Sequence, residues 1–311
     1  MSLQGAQVFQ WGGQGALLGT SRAPLAGREG LVVELRQGEL RGLGEAAPYP
    51  GLSRESLDEV LASLRALDWG ALRVPTHSSE LAIAAQTLLG QGLAPSARFA
   101  IEAALAELAA LRAGTSVARW LEPEARRELP RSVLLGRGAD AALVGRARAA
   151  VARGARSLKV KASSAAEALA AVRALSTELS DEVALRLDLG GALRGGQGIR
   201  EARALASALA ATPNLELLEE PCAGAAMLEL GPLAVPVFAD ESLADASLAD
   251  ALLQCEHLQG VVLKPTLLGL ARSLELAAAA RAWQTRRRHA RLRGTDRARR
   301  FCRARARARR A

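Results

Sequence analysis

The chain changes its hydrophobic period as it proceeds. Over residues 3–45 apolar and polar positions alternate, in Gln7–Trp11, in Leu31–Arg36 and in Leu40–Glu45 after a turn at Gly38-Glu39. A period of two with turn residues between the runs predicts antiparallel strands with one buried face. Gly12-Gly13-Gln14-Gly15 reads as a loop, because it opens no long helix and lacks the strand–helix context of a dinucleotide fingerprint. From Ser53 the period turns helical, with Ser53 or Ser56 as N-cap of a helix to about Leu67, and residues 68–95 read as mixed helix and loop. A longer amphipathic helix is expected from Ser96 to about Arg112, with Phe99, Ile101, Leu105 and Leu108 on its apolar stripe.

A second rhythm then sets in. Short apolar runs begin near residues 131, 157, 184, 216, 236 and 260, each followed by an Ala/Leu-rich helical stretch. That is the repeat of βα units in a parallel sheet. The chain therefore divides into an α+β domain at residues 1–95, a βα barrel domain at 96–282 and a tail at 283–311. Gly190 to Gly198 has no phosphate-binding spacing and reads as a flexible βα turn.

The runs end in charge. Lys159 and Lys161, Asp188, Glu219-Glu220, Asp240-Glu241 and Lys264 close five successive strands. In a βα barrel the carboxyl ends of the strands converge on one face, where such residues read as catalytic. Lys159 and Lys161 share a parity and point inward together, as do Arg186 and Asp188.

Composition sharpens this. Of 41 basic residues only Lys159, Lys161 and Lys264 are lysine. Where a positive charge only has to be solvated, this chain uses arginine. It keeps lysine where chemistry needs an amine able to release a proton. The formal charge of +9 would suggest a polyanionic partner, but residues 283–311 hold 13 Arg against one Asp, so the body is slightly acidic. Cys222, Cys255 and Cys302, and His77, His257 and His289, are scattered without metal or disulfide spacing and are read as packing or surface residues. With no secretory signal pattern and no run near the ~18 apolar residues of a membrane helix, a cytoplasmic, membrane-free setting is expected.

The stretch Gly42-Leu43-Gly44-Glu45-Ala46-Ala47-Pro48-Tyr49-Pro50-Gly51-Leu52-Ser53 and the Lys-x-Lys strand resemble the enolase superfamily, and within it the o-succinylbenzoate synthase family. Leu218-Glu219-Glu220-Pro221-Cys222, Asp240-Glu241-Ser242 and Lys264-Pro265-Thr266 extend the resemblance, which covers residues 6 to about 282. It implies an α+β capping domain over a modified (β/α)7β barrel with one Mg2+. One motif departs from the family, which usually has Asp-x-Asn where this chain has Asp188-Leu189-Gly190. Three carboxylates without histidine or thiolate suit a hard cation such as Mg2+. Asp188, Glu219 and Asp240 are assigned as its ligands, Glu219 being preferred to Glu220 by its place two before the proline. Lys161 is assigned as general base, with Lys159 as a like charge that depresses its neighbour's pKa and Lys264 across the mouth facing the enolate. The implied reaction is syn-dehydration of 2-succinyl-6-hydroxy-2,4-cyclohexadiene-1-carboxylate to o-succinylbenzoate, a menaquinone precursor. The implied partner is a small-molecule carboxylate substrate. An N-acylamino acid racemase or dipeptide epimerase would use the same lysine pair. From another class, a nucleic-acid-binding protein would use the Arg-rich tail; it is not expected, since the body carries no basic stripe.

The tail has neither a strand period nor a helical stripe. Six strand–helix units fall two strands short of a closed barrel. A one-base slip of the reading frame near Trp283 is expected to account for this, since the shifted frame can encode an apolar strand and a Glu-Gly loop; a natural basic tail is the other possibility.

Overall fold

The protein is described by a computed structural model covering residues 5–13, 27–90 and 92–283. Strands β1 (Gly5–Gly13), β2 (Arg28–Gln37) and β3 (Leu40–Ala46) form an antiparallel sheet in that order. Gly12 and Gly13, expected in a loop, lie in β1, where they pair with Glu29 and Arg28. The partner strand supplies that order, which local glycine content argues against.

Helix α1 (Leu57–Ala66) is capped by Ser56 in a reciprocal box with Glu59, while Ser53 instead accepts the Tyr49 N–H at 2.9 Å. After α2 (Leu81–Leu89), α3 (Pro95–Arg112) lies on β3. The approach is so close that a Cβ on Gly42 would stand 2.1 Å from the Ala104 carbonyl oxygen, and one on Gly44 1.8 Å from that of Ala100. Ile101, Leu105 and Leu108 are buried in one core with Leu31, Val33 and Leu35, whereas Phe99 is only half-buried. This packing assigns α3 to the first core, so the expected division at residue 95/96 is better drawn after it.

Beyond the short α4 (Val117–Leu121), six parallel strands follow in sequence order: β4 (Ser132–Gly136), β5 (Ser157–Lys161), β6 (Ala184–Asp188), β7 (Leu215–Glu219), β8 (Val237–Ala239) and β9 (Leu258–Val261). The first begins later than Leu129, which is exposed. Helices α5 (Ala141–Ala152), α6 (Ala165–Ser176), α7 (Gly195–Leu209) and α8 (Ala246–Gln254) make four of the five connections, while β7 reaches β8 through a 3-10 turn at Gly224–Met227 in place of the expected helix. Asp140, Ser164 and Asp245 cap three of these with side-chain oxygens. Leu158, Leu187 and Leu218 are fully buried in the second core, each contributing roughly 2 kcal/mol by leaving water. After β9 come α9 (Pro265–Leu268) and a helix over residues 270–283.

The glycine run at 190–198 is not a loose turn. Helix α7 starts within it, and the Gly191 and Leu193 N–H groups donate to the carbonyls of Glu220 and Pro221 at 2.7 and 3.1 Å. Among the described residues the sheet is open, with β4 and β9 at its edges. The expected frame slip and the basic tail beyond Trp283 lie outside the described residues. No helix among those described is long and apolar enough to cross a membrane.

Candidate active site

Parallel register aligns the charged ends. Lys161 pairs laterally with Asp188, and Asp188 with Glu219, so their side chains leave the sheet on one side. Lys159, two residues back, shares that side. Asp188 Oδ2 lies 3.0 Å from Lys159 Nζ and 3.1 Å from Lys161 Nζ, and Lys159 Nζ donates to Glu219 Oε1 at 2.6 Å. Asp240, just past β8, faces Glu219. Lys264, N-cap of α9, donates to Asp240 and, at 2.6 Å, to Glu241. A network of charged groups thus runs from β5 to the end of β9, with the two acids Glu219 and Asp240 adjacent at its middle.

The two lysines of β5 do not face each other as bare like charges, as expected from their spacing, because the Asp188 carboxylate stands between the ammonium groups. Burial works to lower the Lys159 pKa, but Asp188 and Glu219 outweigh it and the pKa is raised. For Asp188 burial works upward and the two lysines outweigh it downward. Lys264, expected to face the enolate, is turned toward Asp240 and Glu241, which raise its pKa against the effect of burial.

Glu219 and Glu220 separate cleanly. Glu220 has φ +40°, the one non-glycine residue with positive φ among those described, and this turns its side chain away from the lysines. Its carboxylate accepts from the N–H groups of Asp240 (2.7 Å) and Ser242 (3.0 Å) and from the Ser242 hydroxyl. That hydroxyl in turn accepts from the Gly224 N–H at 2.9 Å. Glu220 therefore holds the turn that carries Asp240. Burial pushes its pKa up to about 7. Where the family's amide is missing, the Gly190 N–H donates to Asp188 Oδ1 at 2.9 Å, so a backbone group orients that carboxylate.

The residues fit a divalent cation in charge and chemistry. Asp188, Glu219, Glu220 and Asp240 are each no more than 3% exposed. With Glu241 they bring five carboxylates against the ammonium groups of Lys159, Lys161 and Lys264, an imbalance of two. Asp240 feels this most: burial, with Glu241 and Glu219 adding to it and Lys264 opposing, pushes its pKa up to about 9. Its Oδ1 is buried without a hydrogen-bond partner. As the side chains stand, however, no three acidic, histidine or cysteine groups among the described residues surround one point. The Lys159 ammonium occupies the space between Asp188 and Glu219.

Sequence reasoning missed the contact of Glu241 with Lys264, although Glu241 follows Asp240 directly in a motif it singled out. His257 is a packing residue, its Nε2 2.8 Å from the Met227 carbonyl oxygen, and Cys222 is buried. A separate cleft of about 880 Å³ opens in the cap between Arg28, Pro50, Arg54 and Glu59, and none of the lysines and acids at the ends of the parallel strands lines it. Beside it the Arg28 guanidinium lies over the Tyr49 ring, 5.1 Å from its centroid.

A parallel βα sheet with lysines and carboxylates at its strand ends, under an antiparallel cap, defines a class of enzyme scaffold. The family described as "Enolase C-terminal domain-like" matches residues 142–292, and that described as "MenC, N-terminal domain" matches residues 14–108. The chain belongs to the enolase superfamily. It is 40% identical over 110 residues to an o-succinylbenzoate synthase of Enterobacter sp. (strain 638), a match spanning 34% of this chain and 30% of that protein's length. A hydrophobic dipeptide epimerase of Roseobacter litoralis is 29% identical over 273 residues, 85% of this chain and 75% of that protein. Among solved structures, the L-Ala-D/L-Glu epimerase of Bacillus subtilis superposes with TM-score 0.80 at 20% identity, over 91% of this chain and 80% of that one. The dipeptide epimerase of Methylococcus capsulatus complexed with Mg ion gives 0.76 at 25% identity, over 91% and 80%.

Proposed function

We propose that this protein is a Mg2+-dependent lyase that dehydrates 2-succinyl-6-hydroxy-2,4-cyclohexadiene-1-carboxylate to o-succinylbenzoate in the cytoplasm, as a step toward menaquinone. The observation that carries the reading is the pairing of Lys161 with Asp188 at the mouth of the sheet, beside the buried acids Glu219, Glu220 and Asp240. Asp188, Glu219 and Asp240 would hold the cation, which supplies the charge that makes a proton α to a carboxylate removable. Lys161 takes that proton from C1 of the ring. The electron pair left at C1 expels the C6 hydroxyl, and Lys161 returns its proton to the departing oxygen, so that one water leaves and the ring becomes aromatic. Lys159 lies between Asp188 and Glu219 and helps to hold the Asp188 carboxyl below its usual range, against the effect of burial, and Lys264 pairs with Asp240. The 40% identity to a synthase over a third of the chain supports this reading.

A second reading, epimerisation of a dipeptide with Lys161 and Lys264 as opposed bases, is favoured by the longer match to the Roseobacter litoralis epimerase. Both substrates offered to the protein with Mg2+ in D2O distinguish the two. The proposal expects o-succinylbenzoate to form and dipeptides to stay unexchanged at the α-carbon. Deuterium entering a dipeptide with no aromatic product would reverse the choice.

A further inference from the structure

The segment that carries Lys264 is gripped from the cap. Glu102 on α3 is 1% exposed, and its Oε2 accepts the Ala271 N–H at 3.1 Å across 169 residues of chain. Its Oε1 lies 3.7 Å from the Nε of Arg98, one helical turn earlier. The Arg98 guanidinium donates to the Leu268 carbonyl and lies close against Gly269. A Cβ at Gly269, whose φ is +82°, would stand 2.7 Å from Arg98 Nε. Between these two anchors and the active site there is little slack. The Lys264 carbonyl accepts from the N–H groups of both Leu267 (2.9 Å) and Leu268 (3.1 Å), so α9 is one tight turn tied to the anchored residues.

A buried charge away from the catalytic groups is costly unless it does something that a neutral side chain cannot. Leucine or alanine at position 102 would continue the buried face of α3. Here the cap instead spends a carboxylate and a guanidinium on the backbone of residues 268–271. We infer that Arg98 and Glu102 are positioning residues: they fix the turn after β9 so that the Lys264 ammonium is held over Asp240 and Glu241. The inference rests on the proposed function only for the importance of Lys264 in turnover.

The test uses the fact that the chain holds only three lysines. The full-length protein labelled with 13C at the lysine ε-carbon gives three ε-methylene signals, each assigned by substituting Lys159, Lys161 or Lys264 in turn. Glu102→Gln keeps an acceptor for Ala271 but removes the charge facing Arg98. Arg98→Met keeps the aliphatic stem but removes the donor to Leu268. In both variants the Lys264 signal is expected to shift or broaden while those of Lys159 and Lys161 stay in place. With the cyclohexadiene substrate, kcat is expected to fall about tenfold at nearly constant KM. A lowered melting temperature with all three signals unmoved, or with all three moved together, would mean a merely structural contact and overturn the inference. So would failure of both variants to fold. If only Glu102→Gln fails to fold, Arg98→Met decides, since it leaves the Glu102–Ala271 bond intact. Absence of turnover in the parent protein would count against the proposed reaction alone, because the three-signal readout needs no substrate.

Discussion

Lys159 and Glu219 meet at 2.6 Å, ammonium to carboxylate, although they lie on β5 and β7 with Asp188 of β6 between them. The lysine thereby sits where two proposed metal ligands face each other. Replacing it with a neutral chain of similar length, Lys159→Met, leaves Asp188 and Glu219 with more uncompensated charge. The metal-free protein is then expected to lose about 3 kcal/mol of stability in denaturant unfolding. Mg2+ is expected to bind more tightly by calorimetry. Weaker binding would show that Lys159 does not share this space with the cation.

Asp240→Asn tests the metal from the other side. Because the metal-free Asp240 carboxyl is pushed up to about 9, it is protonated near neutrality, and an amide is a close substitute for it. The melting temperature without Mg2+ should therefore change little. Mg2+ affinity and turnover should both fall, since a negative ligand has become neutral. Unaltered Mg2+ binding would mean that Asp240 is not a ligand.

Glu220→Gln should damage the site without touching substrate. The carboxylate accepts at both oxygens, from Ser242 on one and from the Asp240 N–H on the other, whereas a glutamine turns an NH2 group toward one of these donors. An unfolding free energy lower by about 1–3 kcal/mol is expected, together with reduced Mg2+ affinity through misplacement of Asp240. Full retention of both would show that the turn holds itself.

A pH dependence follows from the same two acids. Both have folded pKa values raised, Glu220 to about 7 and Asp240 to about 9, above their values of 4.5 and 3.8. Between the lower and the higher value the folded chain keeps a proton that the unfolded chain has lost, so stability falls as pH rises. The melting temperature of the metal-free protein is expected to drop from pH 5 toward pH 9, after allowing for its other groups. Mg2+ should relieve the drop by replacing the proton at Asp240. A melting temperature equally raised by Mg2+ at both ends of this range would contradict the assignment.

The strands and their charged ends were legible because buried parallel strands are short apolar runs whose ends stand out, and β5 and β6 begin at the residues expected. The lysines stood out because arginine fills other basic positions. Elsewhere local pattern was insufficient. Gly12 and Gly13 are strand only because β2 pairs with them. Which of Glu219 and Glu220 faces the lysines depends on the positive φ of Glu220, a backbone state that its side chain does not signal. Glu102 looks like a polar interruption of an apolar helix face, and its partner at Ala271 lies far along the chain. The glycines at 190–198 suggested freedom, whereas the carbonyls of Glu220 and Pro221 remove it.

The central claim is that Lys161 removes the proton, and Lys161→Arg tests it most directly. Arginine keeps the positive charge beside Asp188 but cannot release a proton near neutral pH. Turnover of the cyclohexadiene substrate with saturating Mg2+, followed by o-succinylbenzoate formation, should fall about a thousandfold, while substrate binding measured by calorimetry stays within a few-fold of the parent protein. Turnover above about a tenth of the parent's would contradict the account, because a lost general base cannot leave so much activity.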